Sequence, residues 1–268
     1  MHGLQIGREN SLTILKLTNK EMDINIIRLD HTASTNDYLR LCPTPAGDTM
    51  TVATALYQTA GRGQATNTWE SEAGKNLLFS ILTSPKEVEP RHQFVLSMAG
   101  ALALKAALDP ICGEVLLKWP NDIYWHDSKL SGTLIETSLR GKTIERCIYG
   151  IGLNVNQSVF RSDAPNPVSL LNITGHETPL DQLLDDILHH FATYYSRATS
   201  GDSDQLTEEY NRALYRNDHR PHPFEDCSTG ERFDATIDHV DCDGLLHLVD
   251  TQGKERAYTL KELKHVRN

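Results

Sequence analysis

The segment VLLKWPNDIYWHDSKLSGTLIETSL (115–139) combines apolar, strand-like stretches with charged motifs. VLL and IYW flank the motif KWPND at 118–122, and KLSG follows at 129–132. Short apolar stretches joined by polar turns predict antiparallel strands. The apolar flanks also indicate that the charges of both motifs lie against a buried strand, which disfavours a simple solvated hairpin.

Strand and helix patterns alternate on both sides of this segment. Further strand patterns are INIIRLD (24–30), MTVATALYQ (50–58), NLLFSIL (76–82) and TIERCIYGIGLNVNQ (143–157). Helices are predicted after a cap near Ser34 or Thr35 and over 92–109, 180–198 and 206–216. Because hairpin strands are mixed with crossover helices, we expect an α+β fold with a mixed β-sheet packed with helices.

The helix predicted over 92–109 places Val95, Met98, Leu102 and Ala106 on one face. This spacing predicts an amphipathic helix that packs on the sheet with one side.

The C-terminal part of the chain differs in pattern from the rest. The polar, proline-bearing stretch 217–231 is interpreted as a boundary, and short alternating strands follow it, broken at DCDG (241–244) and TQGK (251–254). They predict a small β-barrel that must dock on the main domain, since its own core is too small for independent stability. The expected organisation is an N-terminal extension (1–22), a main domain (23–222) and a barrel (223–268).

Composition excludes several function classes. Asp plus Glu number 36 against 26 Lys plus Arg, for a net charge of −10, which disfavours non-specific nucleic-acid binding. The N-terminus has no signal-like apolar core and no run of about 18 apolar residues is found, so we expect a soluble, cytoplasmic protein without a membrane partner. The five cysteines are odd in number and form no C-x-x-C pair, which predicts reduced side chains without a zinc or redox role.

The stretch AGRGQATNTWES (60–71) places Arg62 between Gly61 and Gly63. Glycines allow close approach of a ligand and positive φ, and a guanidinium is a planar fork for carboxylate or phosphate. The dinucleotide fingerprint is excluded because Thr66 stands where it needs a third glycine, and no phosphate-binding G-x-x-x-x-G-K-[ST] loop or hydrolase motif is found. The loop is therefore predicted to bind an anion in another way.

The stretch 60–71, called the glycine loop below, and the motifs KWPND and KLSG together resemble the biotin–protein ligases. The matching motifs are STN (34–36), YQTAGRG (57–63), Trp69, KWPND…KLSGTLIE (118–136) and GIGLNVN (150–156), followed by the small barrel. The resemblance covers roughly residues 25–268. It implies a catalytic domain like that of class II synthetases with an SH3-like C-terminal barrel, in the form of the family without an N-terminal DNA-binding domain, because residues 1–22 are too few for a helix-turn-helix.

The resemblance also implies the reaction and its partners. The biotin carboxylate attacks the α-phosphate of ATP and releases pyrophosphate, and a carrier lysine then takes the biotinyl group and releases AMP. ATP and Mg²⁺ are the implied cofactors. The implied partner is the biotin carboxyl carrier domain of a biotin-dependent carboxylase; specific DNA binding is not expected, and a homodimer is left open.

Site residues follow from the same resemblance. The residues implied for biotin are Ser34, Thr35, Asn36, Gln58, Gly61, Arg62, Gly63, Lys129 and Gly132. Arg62, Lys118 and Lys129 are the implied catalytic cations. Those implied for the nucleotide are Trp69, Asn121, Asp122 and Asn154, with Asp122 also a magnesium ligand; for Asn154, ordering of the loop 157–170 is the alternative.

The chain departs from the family pattern in the glycine loop. The family loop reads close to GRGRxGxxW, whereas Gln64, Ala65 and Thr66 stand here. This difference predicts faster escape of biotinyl-adenylate.

Two alternatives compete with the ligase interpretation. A lipoate–protein ligase would carry an R-x-[ST]-G-G-G-[AT]-V loop, which is missing. A non-catalytic biotin or nucleotide sensor is disfavoured by the three cations Arg62, Lys118 and Lys129.

Overall fold

The computed structural model describes residues 11–16, 22–63, 67–161 and 166–266. For residues 11–16 only the backbone is described. Most of the predicted N-terminal extension therefore lies outside the described residues.

One large sheet carries the main domain. Its strands are β1 (Ser11–Lys16), β2 (Asp23–Thr32), β3 (Thr49–Gln58), β4 (Leu77–Thr83), β5 (Leu116–Lys118), β6 (Asp122–Trp125), β7 (Ser128–Arg140) and β8 (Thr143–Leu153). They lie in the order β1-β2-β3-β4-β8-β7-β6-β5. Only β2 and β3 pair in parallel, because helix α1 (Thr35–Arg40) crosses between them; the other neighbours are antiparallel. The mixed sheet is as predicted.

The two faces of this sheet are different. One face is covered by helices and holds the main core; the helices are α2 (Phe94–Cys112), α3 (Leu170–Thr174), α4 (Leu180–Thr199) and α5 (Ser203–Arg212). Alternate strand residues point to the other face, where Ala53, Leu82 and Ile148 pack with Leu39 of α1. The second face is therefore covered only locally, by α1.

The prediction for α2 was wrong in one respect. Its buried residues run all around the helix, whereas Ala106 is only partly buried. The cause is that α2 packs on the sheet and also contacts α4 and α5, and Gly100 lets it lie against the Tyr149 ring. The segment Pro90–Cys112 has the length and apolar composition of a membrane-crossing helix, but most of it is buried in this core.

A second, antiparallel sheet follows α5. Its strands are β9 (His222–Asp226), β10 (Arg232–Val240), β11 (Leu246–Asp250), β12 (Glu255–Tyr258) and β13 (Leu263–His265), in the order β12-β11-β10-β9-β13. DCDG and TQGK join β10 to β11 and β11 to β12, as predicted. The stretch interpreted as a boundary contains β9, which pairs with both β10 and β13. Pro221 immediately precedes this strand and Pro223 is its second residue, so both prolines lie at its start, where a missing N–H is tolerated but the strand pattern is hidden in the sequence.

The second sheet is docked on the main domain, as expected for a unit whose own core is too small for independent stability. The indole of Trp119 donates a hydrogen bond to the carbonyl of Gly244 over 3.1 Å. Gly244 has φ +88, and a Cβ there would lie 2.5 Å from the Phe94 ring. The amide of Asn211 donates to Val240 O over 2.9 Å. The β10–β11 turn is thus fixed against the start of α2.

Candidate functional site

A cavity of about 540 Å³ opens on the sheet face that carries α1. It gathers most of the predicted site residues; its lining includes Ser34, Thr35, Asn36, Gln58, Arg62, Gly63, Trp69, Asn121, Asp122, Lys129, Gly132 and Asn154. Gly61 and Lys118 are not among the lining residues. The motifs meet here because strands β6, β7 and β8 are neighbours and helix α1 packs against β3, β4 and β8.

One end of the cavity is a buried polar network. Gln58 Oε1 accepts hydrogen bonds from the backbone N–H of Thr35 over 2.7 Å and from its hydroxyl over 3.1 Å. Ser80 Oγ lies 2.6 Å from Thr35 Oγ1 and 2.6 Å from Asn36 Oδ1. Thr35, Asn36 and Ser80 are buried. This end offers several fixed donors and acceptors around one small volume.

Ser80 was missed by sequence reasoning. It lies in the strand NLLFSIL, whose apolar residues drew attention to packing alone. The available signal was a hydroxyl in the middle of an apolar strand, and all residues of that strand are buried in the structure. Because buried polar groups need partners, such a residue indicates a polar group nearby.

Glycines of β7 and β8 give this cavity its depth. A Cβ on Gly150 would lie 2.2 Å from Asn36 Oδ1, and one on Gly152 would lie 2.3 Å from Trp69 Cε2. At Gly132 a Cβ would lie 3.1 Å from Trp69 Cζ3. The indole of Trp69 therefore covers a floor made of glycine, and side chains on Gly150 or Gly152 would clash.

The glycine loop begins and ends in a short antiparallel pairing. The backbone N–H of Trp69 donates to Gly61 O over 3.0 Å, and that of Gly63 donates to Asn67 O over 2.8 Å. Neither Gly61 nor Gly63 has the positive φ that was expected. Glycine is needed at position 61 for another reason: the backbone of Trp69 approaches closely, and a Cβ on Gly61 would lie 2.9 Å from Trp69 O.

The departures in this loop, Gln64, Ala65 and Thr66, lie outside the described residues. Faster escape of the adenylate stays a prediction.

Arg62 lies in a cluster of alternating charges. Its Nη2 lies 3.0 Å from Asp37 Oδ1 and 3.3 Å from Glu136 Oε2. Arg40 pairs with the same two carboxylates. Glu136 also accepts the Asn36 amide over 2.9 Å, which connects this charge cluster to the polar network. Sequence reasoning missed Asp37 and Glu136.

Two donors at this loop end are buried without a hydrogen-bond partner. They are Nε of Arg62 and Nε1 of Trp69, within the part of the chain that the structure describes. Buried polar groups are nearly always paired, so an unpaired donor in a cavity indicates that a ligand or water completes it.

Lys129 and Asp122 form the third feature of the cavity. The ammonium of Lys129 lies 2.7 Å from Asp122 Oδ1 and 5.7 Å from the centre of the Trp69 ring. Asp122 pairs with Gly132, and a bulge at Ile123 and Tyr124 shifts the register so that Lys129 faces Tyr124. A cation and a carboxylate thus lie next to the indole.

Two predicted residues that line the cavity have contacts within the protein. Asn121 donates its amide to Thr133 O, and buried Asn154 donates to Val168 O over 3.1 Å. The contact of Asn154 supports the alternative in which it orders the following loop.

Lys118 does not line the cavity: its Nζ lies 2.9 Å from the Tyr124 hydroxyl and 4.4 Å from the centre of the Tyr124 ring. Burial, together with the positive charge of Lys118, lowers the pKa of His265 on β13 to about 3. Lys118 therefore lies near the second sheet, and its predicted catalytic role gains no support from this geometry.

Comparison with known proteins gives consistent matches. The model of the biotin/lipoate A/B protein ligase family matches residues 29–154. A biotin–[acetyl-CoA-carboxylase] ligase of Paracoccus denitrificans is 32% identical over 177 residues, covering 63% of this chain and 72% of that protein. The bifunctional ligase/repressor BirA of Escherichia coli is 36% identical over 131 residues, 48% of this chain and 39% of BirA.

Solved structures show the same fold. The biotin protein ligase from Aquifex aeolicus in complex with biotin and ATP matches with a TM-score of 0.75 and 24% identity, covering 90% of this chain and 99% of that one. At this identity the match is evidence for the fold alone. With the sequence relatives, the predicted fold class is confirmed, and the chain belongs to the biotin protein ligase family.

Proposed function

We propose that this chain activates biotin with ATP to biotinyl-5′-AMP and then transfers biotin to a lysine of a biotin carrier domain. The observation that carries the proposal is a single cavity with a buried polar network at one end and cations at the other. Biotin has a matching division, since its ureido ring is neutral and polar and its carboxylate is charged.

The polar network fits the ureido ring. That ring has one carbonyl acceptor and two N–H donors, and the network presents hydroxyls at Thr35 and Ser80 and amide groups at Asn36 and Gln58. Discrimination is strong when a buried site is built to hydrogen-bond its substrate, because an analogue without those groups leaves the site unpaired. A dithiolane ring, as in lipoate, has no such groups.

The charged end fits the adenylation step. The carboxylate oxygen of biotin forms a bond to the α-phosphorus of ATP, and the bond from that phosphorus to the bridging oxygen breaks to release pyrophosphate. An anion attacks a polyanion here, so neutralisation and alignment lower the barrier. Lys129, next to the cavity floor, supplies one cation, and Arg62 supplies a second one when it exchanges Asp37 and Glu136 for the carboxylate or phosphate of the ligand.

In the second step, the carrier lysine's amine attacks the acyl carbon of the adenylate. The bond from that carbon to the phosphate oxygen breaks and AMP leaves, while the amine loses a proton. The mixed anhydride is already activated, so this step needs access and alignment more than a protein nucleophile.

Magnesium fits the donor chemistry of the cavity. Asp122 is a carboxylate at its lining beside Lys129, and Mg²⁺ commonly takes one or two protein carboxylates, with phosphates and water as its other ligands. Bound there with ATP, it would neutralise phosphate charge. A carboxylase carrier domain as partner, absence of specific DNA binding and membrane binding, a cytoplasmic location and a homodimer stay predictions.

Pyrophosphate release tests the proposal most directly. Purified protein is incubated with ATP and Mg²⁺, with biotin, lipoate or neither. We expect release that depends on biotin. Release with lipoate alone would favour the lipoate ligase alternative, and tight biotin binding without pyrophosphate would favour the non-catalytic sensor.

A further inference from the structure

Three metal-ligand types face one another where the two sheets are docked. His92 lies just before α2, and Cys242 and Asp243 lie in the β10–β11 turn. One ligand atom from each lies within 4.8 Å of the others. His92 Nε2 lies 3.8 Å from Asp243 Oδ1, and Cys242 Sγ lies 4.0 Å from the same oxygen. None of the three residues lines the cavity described above.

The donor set favours a zinc-like ion. Thiolate and imidazole are ligands of Zn²⁺ and related transition metals, whereas Mg²⁺ and Ca²⁺ prefer oxygen. Zinc bonds of about 2.0–2.3 Å at a tetrahedral angle separate neighbouring ligand atoms by roughly 3.3–3.8 Å. The two separations from Asp243 Oδ1, 3.8 Å to His92 Nε2 and 4.0 Å to Cys242 Sγ, lie at the upper end of this range or a few tenths of an ångström above it. The ligand atoms of His92 and Cys242 lie within 4.8 Å of each other, and side-chain rotation can bring them closer.

Both sides of the cluster are held in place independently of any ion. Trp119 donates to Gly244 O, and Gly244 lies directly against Phe94, two residues after His92. Within the turn, Asp241 Oδ1 accepts the backbone N–H of Asp243 over 3.0 Å. The ligands therefore need little ordering to bind a metal, which lowers the entropic cost of binding.

We propose that His92, Cys242 and Asp243 form a site for a zinc-class divalent cation, with water as the fourth ligand. The ion joins the β10–β11 turn to the start of α2 and so fastens the second sheet to the main domain. This site is additional to the proposed ligase activity. It also revises the expectation that the cysteines have no zinc role: that expectation rested on C-x-x-C spacing, and the fold supplies the histidine from a distant segment.

Cobalt(II) is the first probe, since its thiolate complexes have a strong near-ultraviolet charge-transfer band. Tag-free full-length protein, reduced with a phosphine, is titrated with Co²⁺ and then with Zn²⁺. We expect a saturable band with one ion per chain, which Zn²⁺ removes. Cys242→Ser should abolish the band, and His92→Gln should weaken Co²⁺ binding at least tenfold. Cys227→Ser is the matched control, because Cys227 is the other exposed cysteine of the second sheet.

Thermal unfolding tests whether the ion fastens the docked sheet. A ligand that binds only the folded state raises Tm. We expect Zn²⁺ to raise Tm in the natural protein and in Cys227→Ser, but not in Cys242→Ser or His92→Gln. The proposal is overturned if no thiolate band appears, if the band survives Cys242→Ser, if His92→Gln binds Co²⁺ normally, or if the Tm shift is the same in all variants. Because neither measurement uses biotin or ATP, failure of this site and failure of the proposed ligase activity are distinguishable.

Discussion

The two ends of the cavity differ in how their polar groups are satisfied. At the network end, Thr35, Asn36 and Ser80 are buried and bonded to one another or to Gln58. At the loop end, Arg62 is paired with surface carboxylates, and its Nε and the Trp69 indole have no partner among the described residues. The difference indicates that the network end is formed before ligand binding, whereas the loop end is completed by the ligand.

The largest expected effect is substrate discrimination at the network end. Lipoate cannot bond with these buried groups, so kcat/KM for lipoate should be lower than for biotin by roughly 10⁴-fold. Adenylation assays with both acids measure the ratio. Comparable turnover of the two acids would mean that the polar network does not contact the ureido ring of biotin. The difference between the two ends would then have no role in substrate selection.

The second effect concerns charge beside the loop end. Lys129→Ala should lower the adenylation rate by roughly 10² to 10³, because one preorganised donor to developing charge is removed. Single-turnover adenylation measures it, with Lys142→Ala as the control, since Lys142 is an exposed lysine in the β7–β8 turn. A change confined to the KM for biotin would show that Lys129 binds the ground state instead.

Ser80→Ala should have an intermediate effect. Removal of the hydroxyl leaves Asn36 Oδ1 and Thr35 Oγ1 short of one buried partner, at a cost of about 1–3 kcal/mol, and so should raise the KM for biotin about tenfold or more. The control is Ser84→Ala, which removes a hydroxyl bonded to Glu145 O just beyond β4. If both variants lose stability alike and KM stays constant, Ser80 serves packing only.

The smallest effect is expected at Glu136. Glu136→Gln removes one carboxylate that competes with the ligand for Arg62 and preserves an acceptor for Asn36. Partly exposed ion pairs contribute about 0.2–1 kcal/mol, so the KM for biotin should fall by no more than about fivefold, and less at high salt. A higher KM would mean that Glu136 holds Arg62 in its working position, which would make the loop end preformed as well.

The sequence predicted the sheet and most of the helices because each depends on local pattern, whereas most of the cavity-lining residues were implied by the resemblance to the biotin–protein ligases. Asp122 and Lys129, for example, lie on β6 and β7, which follow each other in the chain and pair as one hairpin. What depends on pairing between distant segments was not predictable. The pairing of β5 with β6 brings Lys118 to the Tyr124 hydroxyl, and Glu136 of β7 meets Arg62 of the glycine loop. His92 meets Cys242 only because the second sheet docks on the main domain. The surroundings of α2 likewise depend on α4 and α5, which lie far along the chain.

The unpaired indole of Trp69 gives the protein an internal optical reporter. Of its three tryptophans, Trp119 donates to Gly244 O and Trp125 donates to Cys112 O, so both are fixed in the folded protein. Trp69 alone lines the cavity, with a cation 5.7 Å from its ring. Its emission maximum and quantum yield should therefore change when the loop end fills, while those of the other two stay constant. Occupancy of the site can then be followed by intrinsic fluorescence, without a label and before any bond is made.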